Sequence, residues 1–123
     1  SPMELMGKIT ENIYDDIREI AEENPEKFND ESYLEHIDYR LSEKLSELVV
    51  RKNGFYTYQS EVLKGKNIDE LLPAYDEDEN ICDVALYKGG DYQTLVKQIN
   101  FSDSQGNEYS VSILTSLNQI VPS

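Results

Sequence analysis

Apolar residues recur at helical spacing along the first part of the chain. They lie three or four residues apart and fall on one face of a helix predicted over residues 4–23: Met6, Ile9, Ile13, Ile17 and Ile20. Asn24-Pro25 ends this pattern, because the residue before a proline is disfavoured in the helical conformation.

The same spacing continues and predicts a second helix over residues 30–52. Its apolar stripe consists of Leu34, Ile37, Leu41, Leu45 and Leu48. Asn29 is the predicted N-cap, and Asn53-Gly54 is interpreted as the glycine stop of the helix. Only a few residues separate the two helices, so they are expected to pack as an antiparallel hairpin.

After Gly54 the apolar residues no longer recur at helical spacing. Residues 53–80 are interpreted as an irregular segment that contains a short strand at 55–58, a helical turn at 67–72 and an acidic loop. Residues 81–121 are predicted to be antiparallel β: a strand at 81–87, a hairpin with arms at 92–101 and 108–115, and a short edge strand at 117–121. Ser110 and Ser112 alternate with apolar residues, which predicts a second sheet face turned to water.

These elements predict one α+β domain over residues 1–123, in which an N-terminal antiparallel helical hairpin packs on a small C-terminal antiparallel sheet. Ser1-Pro2 ahead of Met3 looks like a tag-removal scar, so the natural chain is expected to begin at Met3. No apolar run approaches a membrane span and no signal peptide is visible. The single cysteine, Cys82, fits a reducing compartment, so a cytoplasmic location is expected.

Charge is the most unusual property of the chain. Its 11 Lys and Arg face 25 Asp and Glu, giving a net charge of −14, of which residues 1–80 carry −12. Solubility of a small domain needs a net charge of only about 2–8. The surplus negative charge repels nucleic acid and anionic membranes and attracts basic protein surfaces.

The residue pattern gives little support for a catalytic site or a metal site. The loop at 76–80 begins like a calcium loop, but Ile81 and Tyr87 stand where that loop needs glycine and glutamate. One histidine, His36, and one cysteine cannot make a zinc site, and no cation is expected beside Cys82 to activate its thiol. Gly89-Gly90 lacks the residues of a phosphate loop. No catalytic residue, metal ligand or cofactor is therefore predicted, and the protein is not expected to be an enzyme.

Two acidic clusters are the candidate partner-binding residues. Carboxylates four residues apart on a helix are about 6 Å apart, a spacing commensurate with the ~3.4 Å phosphate repeat of a DNA strand. The first cluster lies on the opening helix: Glu11, Asp15, Glu19, Glu22 and Glu23. The second is the loop of Asp76, Glu77, Asp78 and Glu79. Tyr75, beside that loop, is the predicted interface anchor, because tyrosine is enriched at binding hot spots.

The opening helix from Ile9 to Glu23, the acidic loop from Asp76 to Asn80 and the Tyr-rich C-terminal half resemble the small acidic anti-defence proteins of phages and mobile elements. In particular, the layout is similar to that of anti-CRISPR inhibitors of Cas9 from Firmicutes. The resemblance implies a carboxylate surface that occludes the basic nucleic-acid channel of a Cas9-like nuclease. It implies a basic protein effector as partner, with no direct binding of nucleic acid or membrane.

Two other functions fit the same composition. The chain could be an immunity protein or antitoxin that blocks a basic toxin, or a sponge or sensor for a small ligand whose site is formed by the sheet and its tyrosines. The exposed face of the C-terminal hairpin also leaves a homodimer open.

Overall fold

The computed structural model describes residues 2–77, 79–86 and 93–117 of the 123-residue chain, apart from the side chains of residues 2, 3, 6 and 84–86. Three α-helices come first: α1 (Pro2–Ile9), α2 (Glu11–Glu23) and α3 (Glu31–Ser42). Five strands follow: β1 (Ser46–Lys52), β2 (Phe55–Gln59), β3 (Asn80–Leu86), β4 (Gln93–Ser102) and β5 (Glu108–Ser116). The predicted α+β class is confirmed.

The predicted helix over residues 4–23 is two helices. The chain leaves the helical conformation at Thr10, which has φ −101° and ψ 4° and is fully buried. Threonine is a weak helix former because its branched side chain is restricted in a helix. Beyond it, α2 buries Ile13 and Ile17, as the periodicity predicted, whereas Ala21 takes the buried position next to Ile20, which is only partly buried.

The predicted helix over residues 30–52 is wrong in its second half. It ends at Ser42, and residues 46–52 form β1. Asn53 and Gly54 have φ values of 52° and 83° and connect β1 to β2. Consecutive positive φ values at Asn-Gly suit a two-residue hairpin, whose turn matches the strand twist. The dipeptide therefore marks a hairpin and not the end of a helix.

The N-cap of α3 is Asp30 and not the predicted Asn29. One carboxylate oxygen of Asp30 accepts hydrogen bonds from the backbone N–H groups of Ser32 at 3.0 Å and Tyr33 at 3.4 Å. These bonds satisfy donors that the first helical turn leaves free. Asn29 instead donates to the Tyr109 hydroxyl at 2.9 Å and accepts from Lys52 at 3.0 Å, so it ties the helical layer to the sheet.

The strands form one antiparallel sheet in the order β2-β1-β5-β4-β3. The hairpin of β4 and β5 begins and ends within one residue of the predicted arms. Gly106 adopts a φ of 80° in the turn of this hairpin.

The predicted irregular segment contains β2 and two short 3₁₀ turns, at Glu61–Leu63 and Asp69–Leu71. The predicted turn at Gly89-Gly90 lies outside the described residues, as does the predicted edge strand at 117–121 apart from Leu117, which follows the end of β5.

Both faces of the sheet are covered. The helices pack on one face, where the core includes Ile17, Phe28, Leu41 and Val111. On the other face the connection between β2 and β3 places Leu63, Ile68 and Leu71 over Val49, Val96 and Leu114. Ser110 and Ser112 are therefore buried, and the prediction of a wet sheet face is wrong. Within the described residues, no helix is long and apolar enough to cross a bilayer.

Candidate functional site

The five predicted carboxylates of the opening helix all lie on the outer surface of α2. We call this set the α2 acidic face: Glu11, Asp15, Glu19, Glu22 and Glu23. Each is exposed. At 100° and 1.5 Å per residue they occupy an arc of about 120° over a length of about 18 Å. The opposite side of α2 is buried, so the helix presents its carboxylates in a single direction.

Few cations neutralise this face. Arg18 lies 3.6 Å from Asp15, and both side chains are half-exposed. Arg40 pairs with Asp16 at 2.8 Å, beside the face and not on it. Among the described residues, no ion pair reaches Glu19, Glu22 or Glu23. Most of the charge on the α2 acidic face is therefore available to a partner.

The last turn of α2 carries negative side chains at the end of the helix where the dipole is also negative. It contains Glu22 and Glu23 and no basic residue. The C-terminal end of a helix carries partial negative charge, and a negative side chain there is disfavoured by about 0.3–1 kcal/mol at exposed positions. Helix stability thus does not explain these two glutamates.

The second predicted cluster lies beside the first. Asp76, Glu77 and Glu79 are exposed, whereas Asp78 lies outside the described residues. The carbonyl of Glu79 accepts a hydrogen bond from the Asn100 backbone at 3.0 Å, which fixes the loop against β4. Glu22 of α2 and Asn80, the residue after Glu79, line one cleft of about 410 Å³. The fold therefore brings the end of the acidic loop to the cleft that Glu22 lines, and Arg18 lines this cleft as well.

The predicted anchor Tyr75 is half-buried and has a partner within the fold, so it is not a freely exposed ring. Three other tyrosines of this half donate hydrogen bonds to carboxylates. Tyr58 donates to Asp38 at 2.6 Å, Tyr56 donates to Asp69, and the buried Tyr109 donates to Asp103 at 3.0 Å. Tyr87 and Tyr92 lie outside the described residues.

The surroundings of Cys82 differ from the prediction. Lys97 is its cross-strand partner on β4, so a cation does stand opposite the exposed cysteine. The Lys97 ammonium lies 4.3 Å from the centre of the Tyr14 ring and donates to the Gly7 carbonyl at 3.3 Å. Desolvation lowers its pKa. Lys97 is thus engaged with the helical layer.

His36 is exposed on α3. Among the described residues, no three His, Cys, Asp or Glu side chains are placed so that they could hold one metal ion.

Sequence reasoning missed a groove between the end of α3 and the end of β2. We call it the α3–β2 groove; it has a volume of about 490 Å³. Its rim includes Tyr39, Leu45 and Val62, all large and exposed. Leu45 was predicted to lie in the core stripe of a helix, but the helix ends before it. The only sequence signal for this rim is an excess of apolar residues over those that α3 can bury.

Four carboxylates also line the α3–β2 groove: Glu35, Asp38, Glu47 and Glu61. Asp38 is held by two hydrogen bonds of 2.6 Å, one from Tyr58 and one from Ser60. Burial raises the pKa of the Glu47 carboxyl to about 7; Lys66 opposes this rise and Asp38 adds to it. No cationic side chain is among the described residues that line the groove.

No protein-family model, curated protein or solved structure matches this chain.

Proposed function

We propose that this protein is a non-enzymatic inhibitor that binds a basic, nucleic-acid-binding effector and blocks its engagement with nucleic acid by polyanion mimicry. A Cas9-like nuclease in a bacterial cytosol is the proposed target. The observation that carries the proposal is the α2 acidic face, on which five exposed carboxylates point in one direction with little neutralisation.

The geometry of that face suits a channel built for a phosphate backbone. A rigid helix holds the carboxylates at repeating intervals of about 6 Å, and no ordering of a flexible chain is needed on binding. The acidic loop ends beside Asn80, which lines the same cleft as Glu22, so its exposed carboxylates add negative charge beyond one helix. The net charge of −14 accelerates encounter with a positive surface at low salt.

Glu22 and Glu23 add a second line of support. They oppose the dipole of α2 and have no cationic partner among the described residues, so their presence costs stability. Residues that reduce stability at an exposed surface are often retained for function.

The test is a charge-reversal triple variant, Glu19→Lys, Glu22→Lys and Glu23→Lys, in a DNA-cleavage assay with a purified Cas9–guide complex. The matched control reverses three exposed carboxylates elsewhere: Glu43, Glu70 and Glu108. Both variants have the same net charge. We expect the α2 variant to lose inhibition and the control to keep most of it. Equal inhibition by the two variants, or inhibition that does not fall between 50 and 500 mM salt (about a threefold change in Debye length), would reject the proposal.

An immunity protein against a basic toxin would use the same face. It is separated by competition: an inhibitor that mimics nucleic acid is displaced from its target by excess duplex DNA or guide RNA. Affinity capture at low and high salt then identifies whether the bound protein is a nucleic-acid effector or a toxin.

A further inference from the structure

We propose that the α3–β2 groove is a second binding surface, which receives an arginine or lysine side chain flanked by apolar residues on a protein partner. No residue of α2 lines this groove. The inference therefore goes beyond the proposed function and does not depend on it.

The rim of the groove exposes more apolar surface than folding requires. Tyr39, Leu45 and Val62 are 67%, 54% and 59% exposed, and all three line one groove. Single exposed apolar residues are common, but three that border the same concave surface form a patch of the kind found at interaction sites.

The backbone at Leu45 supports the same inference. Leu45 has φ 53°, a left-handed conformation that costs a residue with a side chain about 1–2 kcal/mol. Leu45 is the last residue of the turn between α3 and β1, and glycine or asparagine normally provides this conformation in turns. A leucine here strains the backbone and places its side chain at the rim of the groove. Local strain of this kind concentrates at functional sites.

Charge complementarity identifies the occupant. The wall contains the carboxylates of Glu35, Asp38 and Glu61 and the half-buried Glu47. Glu61 pairs with Lys64 at 3.0 Å, but both of these side chains are mostly exposed. Asp38 is held in place by Tyr58 and Ser60, so it presents a fixed acceptor. A guanidinium or ammonium group reaches these carboxylates while flanking apolar side chains cover Leu45 and Val62.

The volume of the α3–β2 groove suits a long cationic side chain. About 490 Å³ lies within the range of small-ligand sites, large enough for a long cationic side chain and its neighbours but not for a folded domain. The expected ligand is therefore a short segment of a partner, and not a whole surface.

The test uses the pentapeptide acetyl-Gly-Leu-Arg-Leu-Gly-amide, titrated into the ¹⁵N-labelled full chain and followed by NMR. We expect shifts at the backbone amides of Leu45, Ser46, Glu47 and Val62. Replacing arginine by citrulline, which removes the charge and keeps the shape, is expected to weaken binding at least about ten-fold. Shifts elsewhere, no shift at millimolar peptide, or equal binding of the citrulline peptide would overturn the proposal.

Substitutions in the groove test whether its own residues bind the peptide. Leu45→Asn combined with Val62→Ser is expected to reduce peptide affinity at least about ten-fold. The control is Leu5→Asn, because Leu5 is 51% exposed on α1 and does not line the groove. The triple variant of the α2 acidic face should bind the peptide as the natural chain does. Full affinity in the groove variant would overturn the proposal, whereas loss of nuclease inhibition in the α2 variant concerns only the other face.

Discussion

Arg51 donates a hydrogen bond to Gln98 at 3.0 Å, across the buried face of the sheet that the connection between β2 and β3 covers. Both side chains also donate to the carbonyl of Pro73, at 2.8 and 3.0 Å. The Gln98 oxygen accepts a further hydrogen bond from Ser112 at 2.8 Å, and its amide donates to Asn100 at 3.0 Å. A single glutamine therefore joins β1, β4, β5 and the connection.

Replacing Gln98 by alanine is expected to lower the free energy of unfolding by about 3 kcal/mol. The change leaves a cavity at a fully buried position, removes one of the two acceptors of Arg51 and removes the acceptor of the Ser112 hydroxyl. Chemical denaturation measures the loss. Gln93→Ala, at an exposed position on the same strand, is the control and should change the free energy of unfolding by less than about 0.5 kcal/mol. Similar losses in the two variants would contradict the role assigned to Gln98.

Leu45→Gly is expected to raise the free energy of unfolding by about 0.5 kcal/mol. Glycine adopts the left-handed conformation without the 1–2 kcal/mol that leucine costs, and this gain exceeds the roughly 1 kcal/mol lost with a half-exposed side chain. Leu5→Gly is the comparison, because Leu5 has similar exposure within α1. That change should lower stability by about 1 kcal/mol, since glycine is a poor helix former. The same sign in both variants would contradict strain at Leu45.

Glu47 should make stability depend on pH. Its folded pKa of about 7 lies above the ordinary value of 4.5, so the folded protein retains a proton that the unfolded chain loses between these values. The contribution of Glu47 to the free energy of unfolding therefore falls as pH rises from about 4.5 to 7 and then levels off. Glu47→Gln should raise the melting temperature more at pH 8 than at pH 5. Glu43→Gln, at an exposed position, is the control and should show the same difference at both pH values.

Charge reversal should change helix stability with opposite signs at opposite helix ends. Glu23 lies in the last turn of α2, so Glu23→Lys is expected to raise the free energy of unfolding by about 0.3–1 kcal/mol. Glu31 lies in the first turn of α3, so Glu31→Lys should lower it by a similar amount. Thermal melts at 20 mM and 500 mM salt provide the check, because both effects should shrink as salt increases. Shifts of the same sign would point to net charge alone.

Elements defined by local pattern were predicted well. The buried face of α2 and both arms of the β4–β5 hairpin follow from repeating apolar positions, and the Gly106 turn lies where turn-forming residues cluster. The missed strand β1 has a physical explanation. Leu48 continues the helical spacing of Leu41 and also alternates with Val50, so the short apolar stretch fits both periods. Asn53-Gly54 carried the deciding signal, as a hairpin turn between two β-prone segments.

The candidate site was also predicted only in part from the sequence. The sequence located the carboxylates of the α2 acidic face, because a helix with one apolar side must turn its other side to solvent. It did not predict that the end of the acidic loop would share a cleft with Glu22, since that requires the sheet register that places Asn80 opposite Ile99. The α3–β2 groove was missed because it joins residues from three separate segments.

The sequence by itself determined the surplus of negative charge, the outward face of α2 and the α+β class, because composition and short-range periodicity act within one element. Only the tertiary structure decided that Ser110 and Ser112 are buried, that Leu45 is exposed in a strained conformation, and that Arg51 is joined to Gln98. These features depend on contacts between residues far apart in the chain, whose pairing is set by how the sheet closes and what covers it. Local propensity carries no information about either.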